Sequence, residues 1–362
     1  MREELRPLLA LSSIPVIGPA TIRKLLNTFG TPDDIFRASM NDLLRVEGVG
    51  KGRAEGIFNF KAWAAVDKVL EKCEKTGIRI LYYKDADYPS LLKELPDHPL
   101  VLFVKGNLRE EDRYAIAIVG TRKASHYGIS VTERFTTQLT SMGFTIISGM
   151  ARGIDTAAHT KAIQNNGNTI AVLGCGVDVV YPPESAWLYR RIAEEGAVIS
   201  EFLPGTRPLR ENFPMRNRLI SGLSLGVLVV EASQKSGALI TAGFALDQGR
   251  EVFAVPGNIM SSSFAGTHAL IQKGAKLVQN AEDIVEELSH ILKGYIKSAK
   301  KAEPALEPEE KRLCAALSSE PVHIDEIIRQ SGVATSNALT VLLGLEIKGV
   351  VKQIEGKKFQ LV

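Results

Sequence analysis

Short apolar runs rich in β-branched residues alternate with helical stretches between Ile116 and Val285. The runs are AIAIVG, FTIISG, TIAVLG, AVISE, GVLVVEA, EVFAVPG and KLV. This alternation is typical of βαβ units, in which buried parallel strands are covered by helices on both faces of the sheet. We therefore predict an α/β, Rossmann-like domain with a mostly parallel sheet of about seven strands.

Two similar segments near the start of the chain predict a small helical domain. VIGPATIRKLL, from Val16, aligns with GVGKGRAEGIF, from Gly48. An apolar residue and a glycine before a helix are typical of a tandem helix-hairpin-helix (SAM-like) module, in which helix N-termini can contact nucleic-acid phosphates. Alternatively, Gly18, Gly48 and Gly50 only allow tight turns between packed helices. The pattern is compatible with both.

The end of the chain predicts a winged helix. Helical stretches at 308–318, 324–330 and 335–348 precede VVKQIEGKKFQLV, which is typical of a hairpin. The third helix is rich in leucine and has Lys348 as its only cation, so protein contact is as plausible as DNA contact. The expected boundaries are a helical domain at 1–75, a Rossmann-like domain at 76–292, a solvated linker at 293–307 and the winged helix at 308–362.

Composition narrows the class of protein. The chain has 362 residues, 45% of them apolar, and a net charge of +3, so two or three domains are expected and any basic surface is local. Cys73, Cys175 and Cys314 form no CxxC pair and are odd in number, which argues against a disulfide framework and against a zinc site. No apolar run approaches the roughly 18 residues of a membrane span. We expect a cytoplasmic protein without a metal or an organic cofactor.

Glycines, hydroxyls and cations collect where the predicted strands end, which is where open α/β sheets bind their ligands. Such residues at a strand end, before a helix, are typical of anion sites. Cations at the start of the helix after Pro214 oppose the helix dipole, a conflict that a bound anion would remove. Arg210 lies near them in sequence. The candidate site residues are Gly120, Thr121, Arg122, Ser148, Gly149, Arg152, Gly153, Asp178, Tyr181, Phe213, Arg216, Asn217, Arg218, Lys235, Ser236, Gly237 and Thr241.

Several enzyme motifs are absent or misplaced. Neither GxGxxG nor GxxxxGK[ST] occurs, which argues against the standard dinucleotide and P-loop sites. GLSLG matches the GxSxG of hydrolases, but Ser224 follows a helix and precedes a strand, the reverse of a nucleophile elbow. Asp155 and His159 share a helix face and could serve acid–base or metal chemistry. Capping and packing explain this pair better, because no further ligand cluster accompanies it.

Taken in order, the motifs GTR…YG, SGMARGIDTAAH, TIAVLGCGVDVVYP, FPMRNRLISGLS, VLVVEA…SGALITA and VFAVPG resemble the DprA/Smf family over about 180 residues. The resemblance implies a DNA-processing protein of natural transformation (competence) and recombination. Members bind and protect single-stranded DNA, displace single-strand binding protein and load the RecA recombinase, and they are not known as enzymes. It also implies a homodimer formed at the far end of the sheet, where the candidate interface residues are Leu270, Ile271 and Leu277.

The resemblance assigns roles to particular residues. Arg122 matches an arginine that contacts the DNA backbone, and Thr121 stands where serine is common. Arg216 and Arg218 match the cations of the FP.RNR motif, while Ala238 replaces a frequent serine. The SG.A.GID loop corresponds to Ser148, Gly149, Arg152 and Gly153, and SG.LIT to Ser236, Gly237 and Thr241. We expect removal of charge at the three matched arginines, Arg122, Arg216 and Arg218, to weaken DNA binding without unfolding the protein.

Several anion sites along one crevice suit a polymer with successive phosphates better than a single nucleotide. The splayed bases of a single strand can enter such a crevice, whereas a duplex is too wide, so a single strand is favoured. Affinity should then fall steeply with salt and depend little on sequence. One alternative is a nucleotide-processing enzyme, similar to nucleoside monophosphate glycosidases, with Glu201 and Glu231 as acid–base candidates. Another is a scaffold that acts through its terminal modules, which predicts that Arg122→Ala is harmless and that deletion of 306–362 is not.

Overall fold

The computed structural model describes residues 4–292, 308–318, 321–347, 350–354, 356 and 358–361. The chain forms two compact units, Met1–Leu292 and Lys293–Val362. The linker predicted at 293–307 lies outside the described residues. Among the helices of the described ranges, none is both long enough and apolar enough to cross a membrane.

The first unit begins with six short helices that confirm the tandem helix-hairpin-helix. They are α1 (Leu5–Ser12), α2 (Pro19–Phe29), α3 (Pro32–Arg37), α4 (Met40–Arg45), α5 (Lys51–Phe58) and α6 (Trp63–Thr76). Gly18 and Gly50 precede α2 and α5, and Gly48 adopts φ +84°, a conformation that favours glycine. Arg53 Nε donates to Val16 O (2.9 Å) and its guanidinium also contacts Gly48 O, so this side chain joins the two hairpins.

Nine strands form one sheet in residues 4–292. They are β1 (Arg79–Tyr82), β2 (Val101–Gly106), β3 (Ala115–Val119), β4 (Thr145–Ser148), β5 (Thr169–Val172), β6 (Ala197–Ser200), β7 (Gly226–Val229), β8 (Glu251–Ala254) and β9 (Lys276–Leu277). The order is β1-β2-β6-β5-β4-β3-β7-β8-β9, and the seven strands from β6 to β9 are parallel, as predicted. The sequence interpretation omitted β1 and β2, which are antiparallel additions at the β6 edge.

Helices connect the strands of this sheet and set the position of its crevice. They are α7 (Ser90–Lys93), α8 (His126–Ser141), α9 (Ile154–Gln164), α10 (Ala186–Glu195), α11 (Asn212–Gly222), α12 (Ala238–Asp247), α13 (Ala265–Gln272) and α14 (Ala281–Glu287). The chain proceeds outward from β3 to β6 in one direction and then, from β7, in the other. In such sheets the crevice for ligands lies at the carboxyl ends of the two strands where the direction changes. Here these strands are β3 and β7.

The N-terminal helices share a hydrophobic core with the sheet. Leu8 and Leu25 belong to the same buried cluster as Phe103 and Val198, which lie on β2 and β6. Burial of this apolar surface stabilises the first unit as a whole. The boundary expected between residues 75 and 76 is therefore crossed by continuous packing.

The second unit has the predicted winged-helix elements. Its helices are α15 (Pro308–Ala315), α16 (Ile324–Ser331) and α17 (Thr335–Ile347), and β10 (Val322–His323), β11 (Val351–Ile354) and β12 (Lys358–Leu361) form a sheet in the order β10-β12-β11. Leu342 and Leu345 of α17 pack with Leu313, Ile327 and Phe359. Part of the leucine content of α17 therefore serves the core of this unit. Lys348 is outside the described residues.

Candidate nucleic-acid interface

An open cleft of about 660 Å³ lies at the carboxyl ends of the strands, next to β3 and β7. Among the described lining residues, Arg122, Arg210 and Arg216 outnumber a single carboxylate, Asp155, so the cleft favours anions. Gly149 and Arg152 line a smaller recess that shares Arg122, Tyr181 and Phe213 with the cleft. Ten of the predicted site residues line the cleft itself, namely Gly120, Thr121, Arg122, Tyr181, Phe213, Arg216, Asn217, Ser236, Gly237 and Thr241.

The centre of the cleft combines an aromatic ring with cations. The guanidinium carbon of Arg122 lies 5.4 Å from the centroid of the Phe213 ring, and that of Arg216 lies 5.9 Å from it. The Tyr181 ring is tilted against Phe213, with 5.4 Å between centroids. Arg122 is exposed, while Phe213 and Tyr181 are half-buried. An aromatic face beside an exposed cation can accept a base and its phosphate together.

The loop after β4 is held in place by a buried carboxylate. Asp155, in the first turn of α9, accepts hydrogen bonds from the N–H groups of Gly149 (3.1 Å) and Ala151 (3.4 Å). Burial raises the pKa of Asp155 to about 6, and the nearby Arg216 charge opposes that shift. Gly153 has φ +78°, and a Cβ there would lie 2.3 Å from Thr121 O. Asp155 therefore organises the loop, which supports the capping explanation.

Arg216 lies beneath the cleft rather than on its surface. It is only 4% exposed, and its Nη1 donates to Gly149 O (2.9 Å) and to Val172 O, at the ends of β4 and β5. Burial lowers the pKa of Arg216 to about 10, against the attraction of Asp155. A Cβ on Gly149 would lie 2.5 Å from Nη2 of Arg216. Arg216 thus fixes the loops and places positive charge in the cleft floor.

Arg218, predicted as a DNA contact, does not line the cleft, and its side chain is buried. Its guanidinium contacts the Glu201 carboxylate, donates to Asp97 O (2.9 Å) and is 3.6 Å from the Asp97 carboxylate. Residues two apart on an α-helix differ by about 200° around its axis. Arg216 and Arg218 therefore face different sides of α11, as their spacing in a helix already indicates.

Four other predicted residues lie outside the lining of the cleft. Asp178 accepts from Gly205 N–H (2.7 Å) and pairs with Lys72 of α6 (2.5 Å), so it joins the helical domain to the sheet domain. The Ser148 hydroxyl is buried and donates to Ile118 O (2.6 Å). Gly153 acts through its backbone, and Lys235 is exposed on the loop between β7 and α12. In the adjoining recess, Arg152 pairs with Glu184.

Comparison with known proteins identifies the family. Residues 79–289 match the family model described as DNA recombination-mediator protein A. The chain belongs to this family. Residues 8–59 match a SAM-like helix-hairpin-helix tandem, and residues 297–357 match the DprA winged helix domain. The resemblance drawn from the motifs is thereby confirmed.

Individual relatives extend the match over nearly the whole chain. Protein Smf from Synechocystis sp. is 35% identical, with 97% of each chain covered. The X-ray structure of DprA from Streptococcus pneumoniae is 37% identical with a TM-score of 0.69, and covers 78% of this chain and 97% of its own. DNA processing protein A from Helicobacter pylori, which binds single-stranded DNA, is 29% identical with a TM-score of 0.53 and covers 59% of this chain and 96% of its own.

The carboxylates considered for an enzyme, Glu201 and Glu231, have structural partners. Glu231 is 1% exposed and accepts from the N–H (3.0 Å) and the hydroxyl (2.8 Å) of Ser125, at the start of α8. Glu201 pairs with Arg218. Neither residue lines the cleft. Both are therefore placed to stabilise the fold rather than to reach a substrate there.

Ser224, the serine of the GxSxG match, also has only structural contacts. The Ser224 hydroxyl is buried and donates to the Ile220 (3.2 Å) and Ser221 (3.0 Å) carbonyl oxygens. His268 lies against Gly257, with 3.1 Å from Nε2 to the carbonyl oxygen. These local hydrogen bonds leave no nucleophile–base pair at Ser224, in agreement with the argument from element order.

The buried His159 predicts a pH effect on stability. Its Nδ1 lies 2.7 Å from Thr169 Oγ1, which itself donates to Ile146 O, so Nδ1 is the donor. Burial lowers the pKa of His159 to about 3. Below about pH 6.5 this histidine is therefore protonated in the unfolded chain but neutral in the folded chain. The free energy of unfolding should fall by up to about 1.4 kcal/mol per pH unit as the pH decreases toward 3.

Urea denaturation across this pH range tests the effect. His159→Gln should have a flatter acid profile than the wild type, even where it is less stable at neutral pH. The control is His126→Gln, which removes an exposed histidine instead of the buried one. Equal slopes for the wild type and His159→Gln would contradict the assignment.

Proposed function

We propose that this protein binds single-stranded DNA in the cleft, with phosphates held by Arg122 and the Thr121 hydroxyl and a base stacked on Phe213. The observation that carries the proposal is the exposed Arg122 guanidinium 5.4 Å from the Phe213 ring in an arginine-rich cleft. Phosphate contacts supply affinity, while stacking accepts any base. Binding should therefore be strong, dependent on salt and nearly independent of sequence.

A polymer suits this site better than a single nucleotide does. The lining residues extend from Tyr181, after β5, across β3 to Ser236 and Thr241, after β7. The hydroxyls of Thr121, after β3, and of Ser236, after β7, can donate to phosphates along the cleft. The Helicobacter pylori relative binds single-stranded DNA, which supports the same ligand here. The nucleotide-enzyme alternative lacks comparable support, because its carboxylates lie outside the cleft.

We further infer a role as a cytoplasmic recombination mediator that displaces single-strand binding protein and loads RecA. Membership of the DNA recombination-mediator family supports this role. Homodimerisation through the β9 edge fits an exposed Leu277 on that strand, which is 42% exposed, with Leu270 and Ile271 half-buried on α13. An exposed leucine at a sheet edge is a feature that a partner copy can cover.

Phe213→Ala tests the proposal at the stacking residue. Loss of one stacked base costs about 1–3 kcal/mol, so affinity for oligo-dT should fall about tenfold, measured by fluorescence anisotropy. Phe213→Tyr keeps the ring and should bind nearly as the wild type does. The matched control is Phe58→Ala, because Phe58 is 54% exposed on α5 and does not line the cleft. Equal affinities for Phe213→Ala and the wild type would refute stacking at this ring.

A further inference from the structure

Two adjacent apolar side chains project into solvent from the loop between β8 and α13. Ile259 is 84% exposed and Met260 is 87% exposed, more than any other large apolar side chain in the described ranges. Single exposed apolar residues are ordinary on protein surfaces. Two neighbours, both almost fully exposed, contribute little to folding and are available for a contact. We call residues Ile259–Met260 the apolar tip.

The tip is held on an ordered turn. The Met260 N–H donates to Asn258 Oδ1 (2.9 Å), and the Ser261 N–H donates to Asn258 O (3.0 Å). On the far side the chain is anchored by the buried Phe264, whose ring is 5.6 Å from that of Tyr127. Tyr127 also donates to Pro256 O (2.9 Å) on the near side. The turn is therefore fixed at both ends and presents the two side chains outward.

The tip lies at the same edge of the sheet as the cleft. β8 is two strands from β3, or about 10 Å at the usual strand spacing. The start of α13 is joined to the loop after β7 by a hydrogen bond from Gly266 N–H to Ala232 O (2.7 Å). Tyr127, which anchors the tip, is in the first turn of α8, shortly after Arg122. Loops of β3 and β7 thus connect the cleft to the tip.

The surface between cleft and tip is basic. Lys123 follows β3 and Lys235 follows β7, and both are exposed without a salt-bridge partner among the residues that the structure describes. No aspartate or glutamate occurs in the segments 120–126, 232–237 and 256–264. A cationic surface that ends in apolar side chains is complementary to single-stranded DNA, because the cations attract phosphates and the apolar groups pack against bases.

We propose that the apolar tip is a second contact for the DNA strand in the cleft and that Ile259 and Met260 wedge between its bases as it passes over Lys123 and Lys235. This inference rests on the proposed function of the cleft. Isoleucine and methionine are among the side chains that proteins insert between base steps. The contact is independent of sequence, and only a strand longer than the cleft can reach it. It would extend the binding site and unstack the exposed bases.

Oligonucleotide length provides the test. The double variant Ile259→Ser/Met260→Ser is titrated, as the full chain, with oligo-dT of about six and of about twenty nucleotides. We expect the longer oligonucleotide to bind about tenfold more weakly than to the wild type and the shorter one to bind equally. The matched control is Leu246→Ser, which is 62% exposed at the end of α12 away from the cleft edge. Wild-type affinity for both lengths, or equal losses for both, would overturn the inference.

A second readout detects the wedge itself. 2-Aminopurine, placed at successive positions of the longer oligonucleotide, should brighten at one or two positions on binding the wild type and not on binding the double variant. Arg122→Ala distinguishes the two proposals, because it should weaken both lengths. If Arg122→Ala binds both lengths as the wild type does, the cleft proposal fails. If it weakens both and the tip variant weakens neither, only the tip inference fails.

Discussion

Arg122→Ala should bind oligo-dT about 10- to 100-fold more weakly than the wild type while keeping the wild-type Tm. Loss of a charge-assisted hydrogen bond to phosphate costs about 1.5–3 kcal/mol, and each 1.4 kcal/mol is tenfold in affinity. The fold should be unaffected, because Arg122 is exposed and forms no salt bridge within the described residues. It contacts the Phe213 ring from the solvent side of the cleft, so its removal leaves no buried partner behind.

The salt dependence of binding makes this prediction specific. For single strands, a plot of log affinity against log salt concentration has a slope of about −0.7 per phosphate neutralised. Arg122→Ala should therefore make this slope less negative by about 0.7. Arg122→Lys should keep the slope and lose part of the affinity, because lysine retains the charge without the planar fork. Arg134→Ala is the matched control, since Arg134 is exposed in the middle of α8. An unchanged slope in Arg122→Ala would assign the DNA to the terminal modules.

The parallel part of the sheet was predictable because each strand is a buried β-branched run followed by a helix. β1 and β2 lack this signal, since they pair antiparallel, only the single turn of α7 lies between them, and β1 is an edge strand. The position of the cleft was also predictable. Glycines and hydroxyls follow β3, β4 and β7, and the carboxyl ends of parallel strands meet at one edge.

Side-chain directions and distant partners were not predictable from the motifs. Asp178 lies in a glycine-rich loop typical of ligand sites, yet its partner is Lys72, a residue of a different domain that no local pattern indicates. Arg216 is buried because Gly149 leaves room for its guanidinium, and this depends on contacts between α11 and β4. The apolar tip has no periodicity at all. Its proposed role in DNA binding rests on the exposure of Ile259 and Met260, which only the folded structure shows.

Arg218→Ala should destabilise the first unit by about 3–5 kcal/mol and leave the intrinsic affinity of the cleft for DNA unchanged. Removing one member of a buried ion pair leaves the other charge without compensation. The side chains of Arg218 and Glu201 are only 10% and 9% exposed, so the Glu201 carboxylate would remain buried. Trp63 and Trp187 both lie in the first unit, and their fluorescence during urea denaturation reports its unfolding.

The stability difference between Arg218→Ala and the wild type should become smaller as the pH falls. Burial already raises the pKa of Glu201, and the Arg218 charge opposes that rise. Without Arg218 the folded-state pKa rises further above the unfolded value. The cost of the buried charge is then absent below the unfolded pKa and grows as the pH increases through the folded pKa. Denaturation at about pH 5 and about pH 8 measures this difference.

A double variant separates the role of the pair from that of the packing around it. Arg218→Met/Glu201→Leu removes both charges at similar volume, so it should recover most of the stability that Arg218→Ala loses. Both variants should bind oligo-dT as the wild type does under conditions where they are folded, because Arg218 faces away from the cleft. The opposite result would be that Arg218→Ala unfolds at the same urea concentration as the wild type but binds DNA more weakly. The Arg218 guanidinium would then contact phosphate, as the FPMRNR motif alone predicts.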